Sequence, residues 1–148
     1  MRVDFYHLQD SPLERALPML LERAMNVGLR AVVMAASDDR LEALSGMLWT
    51  YTSDSWLPHG TAKDGSAAEQ PIWLTTAEEN PNGAKLLVLT DGMSSSHLGE
   101  FDRCLDLFDG NNEAATAAAR ERWRVAKSAG HELHYWQQTQ SGWQEKAT

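Results

Sequence analysis

Val3, Phe5 and His7 alternate with Asp4, Tyr6 and Leu8, the two-residue period of a β-strand. The period then lengthens. Leu13, Ala16, Leu17, Leu20, Leu21, Ala24 and Met25 recur at helical spacing and predict an amphipathic helix. Ser11 is its expected N-cap, Pro12 its first helical residue, Pro18 a kink and Gly28 its end. Leu29 to Ala36 is apolar apart from Arg30, which suits a central strand covered on both faces. Strand, helix and strand joined by short links form a βαβ unit, so a parallel pair is expected. Ser37 caps a second helix, with Leu41, Leu44, Met47 and Leu48 as the buried stripe and Trp49 near its end.

Thr50 to Gln70 is the longest irregular piece. Trp49, Trp56 and Leu57 are large apolar residues where turn chemistry predicts polar ones. They form either a partner-binding patch or a lid over the core. Beyond it, Ile72 to Thr75 is a short strand, Asn80 to Gly83 a turn, and Lys85 to Thr90 a second buried strand. Met93 to Gly99 is a Ser-rich turn or short helix, and Arg103 to Phe108 fits a strand or a helical turn equally. Asn112 caps an alanine-rich helix from Glu113 to Ala129, closed by Gly130. His131 to Thr139 is a last strand, after which Gln144 to Thr148 is expected to fray. The alternation of strands and helices predicts one α/β domain over residues 1–148: three layers, with a largely parallel sheet flanked by helices.

Composition narrows the class. A chain of 148 residues with 43% hydrophobic and 23% charged residues is one soluble domain's worth. Its formal net charge of -8 argues against a broad non-specific grip on DNA. The single cysteine, Cys104, excludes an internal disulfide and a cysteine-rich metal site, and fits a reducing, cytoplasmic compartment. No signal-peptide h-region follows Met1, and no apolar run reaches membrane-spanning length.

Catalytic and cofactor chemistry finds little footing. Neither a Walker-type nor a dinucleotide-binding glycine motif is present, and the links Gln9 to Pro12 and Ala35 to Asp38 contain no glycine. No cofactor is expected. His131 and His134 fall on opposite sides of a strand, and His59 and His97 are isolated. Ser94-Ser95-Ser96-His97 lacks a nucleophile elbow, and Cys104 reads as a buried inert thiol. Asp38, Asp39 and Asp91 follow strands, where α/β enzymes often place acids, so a small enzyme built on them is the alternative reading. They serve equally well as helix-entry and turn residues.

One stretch runs against the acidic balance. Arg120, Trp123, Arg124 and Lys127 stand at i, i+3, i+4 and i+7 of the last helix, with Arg122 between. That face suits an acidic peptide ending in a carboxylate and an apolar side chain. A solvated helix face with Trp123 turned into the core fits the same spacing.

Phe5-Tyr6-His7-Leu8, Leu48-Trp49, Ser55-Trp56-Leu57-Pro58-His59, Ala119-Arg120-Glu121-Arg122-Trp123 and Ala129-Gly130 stand in an order that resembles the chi subunit of bacterial DNA polymerase III. The resemblance spans nearly the whole chain. It implies a nucleotide-binding-like α/β fold without a phosphate loop, in a non-catalytic accessory subunit of the DNA-directed DNA polymerase that acts in DNA replication. Its partners would be the acidic C-terminal tail of single-stranded DNA-binding protein and, on the clamp-loader side, the psi subunit, another clamp-loader subunit or a helicase. Contact with DNA would be indirect. The tail-binding residues implied are Arg120 and Trp123, with Arg124 beside them. The psi-binding aromatics implied are Trp49 and Trp56. The family more usually has Phe where Trp56 stands and Tyr where Trp123 stands.

Overall fold

The computed structural model describes residues 1–9, 12–51, 57–139 and 142–146. Its strands are β1 (Arg2–Leu8), β2 (Ala31–Met34), β3 (His59–Gly60), β4 (Ile72–Thr75), β5 (Leu86–Leu89), β6 (Arg103–Asp109), β7 (Glu132–Thr139) and β8 (Gly142–Lys146). Its α-helices are α1 (Leu13–Asn26), α2 (Asp38–Trp49) and α3 (Glu113–Ser128). The eight strands form one sheet in the order β3-β4-β2-β5-β6-β1-β7-β8, parallel throughout except for the β7–β8 hairpin. The three-layer α/β reading is therefore correct.

Side-chain alternation sends each strand's residues to two cores. On one face α1 and α2 cover Tyr6, Leu8, Val33, Leu74, Val88 and Leu107. On the other, α3 and the segment around Phe101 cover Val3, Phe5, Val32, Leu87 and Cys104. β1 is thus buried on both sides, although its sequence alternates. The alternation is broken by Asp4, a buried charge that takes a core position by carrying its partners with it. Arg2 Nη2 and Arg103 Nε reach it at 3.0 and 2.8 Å, and Trp136 Nε1 donates to it at 2.9 Å.

Local chemistry explains most element ends. Gly28, at φ +78, lets Leu29 N–H reach back to the Ala24 carbonyl and closes α1. Ser37 and Asn112 cap α2 and α3 through side-chain oxygens that accept from Arg40 N and Ala115 N. Pro12 stands at the N-cap of α1, one residue before the first helical one; Ser11 lies outside the described residues.

Two expectations need correction, the neighbouring of the first two strands and the frayed C-terminal residues, and two open ones are decided. β1 and β2 are parallel but not neighbours: β5 and β6 lie between them, because a βαβ unit fixes handedness and direction, not adjacency. Arg103 to Asp109 is a strand, β6, paired with β1 and β5. The Ser-rich segment ends in a single 3₁₀ turn, Leu98–Glu100. The C-terminal residues to Lys146 do not fray but form β8. Trp143 anchors it, its ring 4.9 Å from Tyr6 in an edge-on contact.

Candidate functional site

Between α3 and the β7–β8 hairpin lies a cleft of about 350 Å³. Ala119, on the α3 side, packs into the core below it and fixes how the helix lies on the sheet. Arg120, Trp123 and Lys127 line the cleft from the helix, Phe108 and Tyr135 from the sheet, and Lys146 from β8. No carboxylate is among its lining residues. Trp123 satisfies both readings of its position. It packs edge-on against Phe5 at 5.2 Å and Tyr135 at 5.8 Å, and it still borders the cleft.

Ion pairing divides the basic residues of α3 sharply. Arg122 turns inward and grips buried Asp106 with two bonds, Nε to Oδ2 at 2.6 Å and Nη2 to Oδ1 at 2.9 Å. Arg124 turns to Glu121 one turn back and stands outside the cleft lining. Among the described residues, Arg120, Lys127 and Lys146 carry no ion pair, and all three are exposed. The structure thus brings together Arg120, Trp123 and Lys127 from the predicted face and leaves Arg124 apart. Lys127 also sits in the last turn of α3, where a cation favours the helix dipole.

The cleft floor is held from behind. The Tyr135 hydroxyl and His7 Nδ1 are 2.5 Å apart. Burial pushes the His7 imidazole below its ordinary pKa against a bond that the ring donates to the Gly110 backbone, and the Arg120 charge lowers it further. A neutral ring can accept a hydrogen bond from the Tyr135 hydroxyl on Nδ1. Burial raises the Tyr135 hydroxyl, with Arg120 opposing. Thr116 lines the cleft as well, and its hydroxyl is buried with no hydrogen-bond partner among the described residues.

Sequence reasoning missed Tyr135 and Lys146. The register Tyr135↔Lys146 places them side by side. The signal was the spacing of Trp136 and Trp143, two aromatics on one side of a hairpin.

The second predicted surface divides. Trp49 ends α2 at 57% exposure, its ring 4.6 Å from His59. Leu57 is buried at 2% exposure inside the α1–α2 core, so it acts as the lid and presents no surface to a partner. His59 is buried beside it: Nδ1 meets the Leu57 carbonyl at 2.7 Å and Nε2 meets Ser45 Oγ at 3.0 Å. The Pro58-His59 motif therefore ties β3 to α2. Trp56 lies outside the described residues.

The carboxylates of the alternative reading do not assemble. A larger crevice of about 770 Å³ opens at the C-terminal ends of β1 and β6, where doubly wound folds place their ligands. There Arg40 bridges Asp91, at 3.1 Å, and Glu14, at 3.6 Å, while Asp91 Oδ2 also accepts from Ala36 N–H. Asp91 is thus a loop clamp. Asp38 and Asp39 are exposed in the first turn of α2. Among the described residues no group of His, Cys, Asp or Glu is arranged to hold a metal ion, and no helix is long and apolar enough to cross a membrane. His134 bonds Glu132 and Glu145. Cys104 is fully buried, its thiol pushed well up by burial.

Fold and site together define an α/β domain with a mostly parallel sheet and a cationic, aromatic cleft between α3 and the β7–β8 hairpin. Comparison with known proteins places it further. Residues 1–134 match the family described as DNA polymerase III chi subunit, HolC, and the chain belongs to that family. The probable DNA polymerase III subunit chi of Rickettsia prowazekii is 32% identical over 84 residues, 57% of this chain and 51% of that protein, so that match spans about half of the relative's length. The DNA polymerase III subunit chi of Pseudomonas aeruginosa is 27% identical over 135 residues, 89% of this chain and 93% of that protein.

Proposed function

We propose that this chain is a non-catalytic accessory subunit of the polymerase that links the clamp-loader complex to single-stranded DNA-binding protein, and that the α3 cleft captures that protein's acidic C-terminal tail. One observation carries the reading. In a chain of net charge -8, Arg120, Lys127 and Lys146 line one cleft beside Trp123 without a neutralising carboxylate. A guanidinium fork suits a terminal carboxylate, and the ring edges of Trp123 and Phe108 suit the last apolar side chain. A single-stranded polyanion would also meet cations and aromatics here, but the net charge works against extended contact with phosphates.

Trp49 supplies the second surface in this reading. Exposed at the end of α2, it docks to the psi subunit or to another clamp-loader or helicase partner. Two weak contacts on one bridging protein reinforce each other, since the second becomes effectively intramolecular and raises avidity on the order of a hundredfold.

Fluorescence anisotropy tests the cleft. A labelled C-terminal peptide of the cognate single-stranded DNA-binding protein is titrated with wild type and with Arg120→Ala. Saturable binding by wild type, weakened at least about tenfold by the substitution and reduced by added salt, is expected. Affinity that ignores both salt and Arg120 sinks the proposal.

A further inference from the structure

The strand β8 brings a third cation to the cleft from outside the helix that the sequence pattern singles out. The family match ends at residue 134, so Tyr135 and the whole of β8, Lys146 included, lie beyond the matched region. β8 is nevertheless firmly held. Trp143 packs on Tyr6, Trp136 stacks on the same ring at 6.3 Å, and Glu145 bonds His134 at 2.6 Å. Those contacts fall on the α1 face. Lys146 is the neighbour that alternation turns to the α3 face, beside Tyr135. The one acidic residue on β8, Glu145, is thereby committed to the opposite face, and Lys146 keeps its charge for the cleft.

Resting on the tail-binding reading above, we infer that Lys146 forms the outer lip of the cleft and selects an acidic side chain upstream of the ligand's terminal carboxylate. Dimensions assign the position. Arg120 and Lys127 are two helical turns apart, about 10 Å along α3. An extended peptide advances about 3.3 Å per residue. With its carboxylate on Arg120 and its last side chain on Trp123, the peptide comes abreast of Lys127 and Lys146 about two to four residues upstream. An acidic residue there meets two cations that face each other across the cleft. Arg124, the basic neighbour on the helix itself, is engaged by Glu121 and takes a smaller part.

The test is a cycle of proteins against peptides. The proteins are wild type, Arg120→Ala, Lys146→Ala and Lys146→Glu. The peptides are the acidic tail, the same tail with its upstream Asp and Glu residues changed to Asn and Gln, and the acidic tail with its terminus amidated. Lys146→Ala is expected to weaken the acidic peptide about two- to fivefold and Lys146→Glu about tenfold, both with a shallower salt dependence. Neither should alter the thermal midpoint, because Lys146 is exposed. Both effects should vanish with the neutralised peptide and persist with the amidated one. Lys146 variants that bind like wild type while Arg120→Ala fails would overturn the lip and leave the tail-binding reading standing. Equal losses on the acidic and neutralised peptides would overturn selection of an upstream acid. Wild type that ignores all three peptides would overturn the tail-binding reading itself. Tighter binding of oligothymidylate than of the acidic tail, abolished by Lys146→Glu, would assign the cleft to single-stranded nucleic acid instead.

Discussion

Gly110 and His7 are in contact so close that no side chain fits between them. A β-carbon built on Gly110 would lie 1.9 Å from His7 Cδ2 and 2.7 Å from the Leu8 carbonyl oxygen. The requirement is space, since φ at Gly110 lies outside the left-handed region. His7 in turn holds Tyr135, the cleft floor. Gly110→Ala is expected to cost about 1–3 kcal/mol, the range for an overpacked site, and to weaken the acidic peptide by displacing Tyr135. Urea denaturation and anisotropy read the two effects separately. A variant as stable as wild type would show that the ring moves aside freely.

Arg122 is the helix cation that holds the fold. Removing it leaves Asp106, 2% exposed, with its charge uncompensated, and Arg122→Ala should cost about 3–5 kcal/mol. Burial already raises the Asp106 carboxyl, with Arg122 opposing, and the variant raises it further. A raised carboxyl favours the fold most when protonated and loses that advantage as pH climbs through its folded value. The deficit of the variant should therefore shrink on acidification. Chemical denaturation at neutral and mildly acidic pH checks the sign.

Asp4 titrates in the opposite sense. Burial alone would raise it, but bonds from Arg2, Trp136 and Arg103 together hold it below the ordinary carboxylate value. Its contribution is present above that ordinary value and is lost as pH falls through the folded one. Trp136→Phe deletes one donor, and about 1.5–3 kcal/mol should be lost at neutral pH. The acid-unfolding midpoint, followed by circular dichroism, should move to higher pH. An unmoved midpoint would mean that the two arginines suffice.

Trp49 and Leu57 should separate stability from partner binding. Leu57→Ala opens a cavity in a closed core and is expected to cost about 2–5 kcal/mol. Trp49→Ala, exposed, should change stability by less than about 1 kcal/mol while abolishing capture of the clamp-loader-side partner in a pull-down. Retained capture would remove Trp49 from that surface.

Periodicity made the helices and the two buried strands legible, because the stripes of α1 and α2 and the apolar runs of β2 and β5 repeat at their own element's spacing. The cations of α3 were legible as a face, but their pairing was not. Helical spacing cannot say that Arg122 meets Asp106 from another element or that Glu121 draws Arg124 away. Leu57 misled for a related reason: its sequence neighbours have turn chemistry, and only tertiary packing puts it in the α1–α2 core. β6 stayed undecided between strand and helical turn, and β8 escaped, because the pattern of a short strand depends on what covers it. Buried on both faces, β6 shows no alternation, and β8 keeps only Trp143 as an inward residue.

The place of β1 in the sheet sets when this chain can fold. Arg2 pairs with Arg103 on one side and Glu132 on the other. β1 thus waits for β6 and β7, far along the chain, before its backbone is satisfied on both edges. Such long-range pairing closes slowly, and a chain without β7 would leave one edge of the largely apolar β1 open. The cleft, roofed by α3 and floored by β7, therefore comes into being only when the last strands dock beside β1.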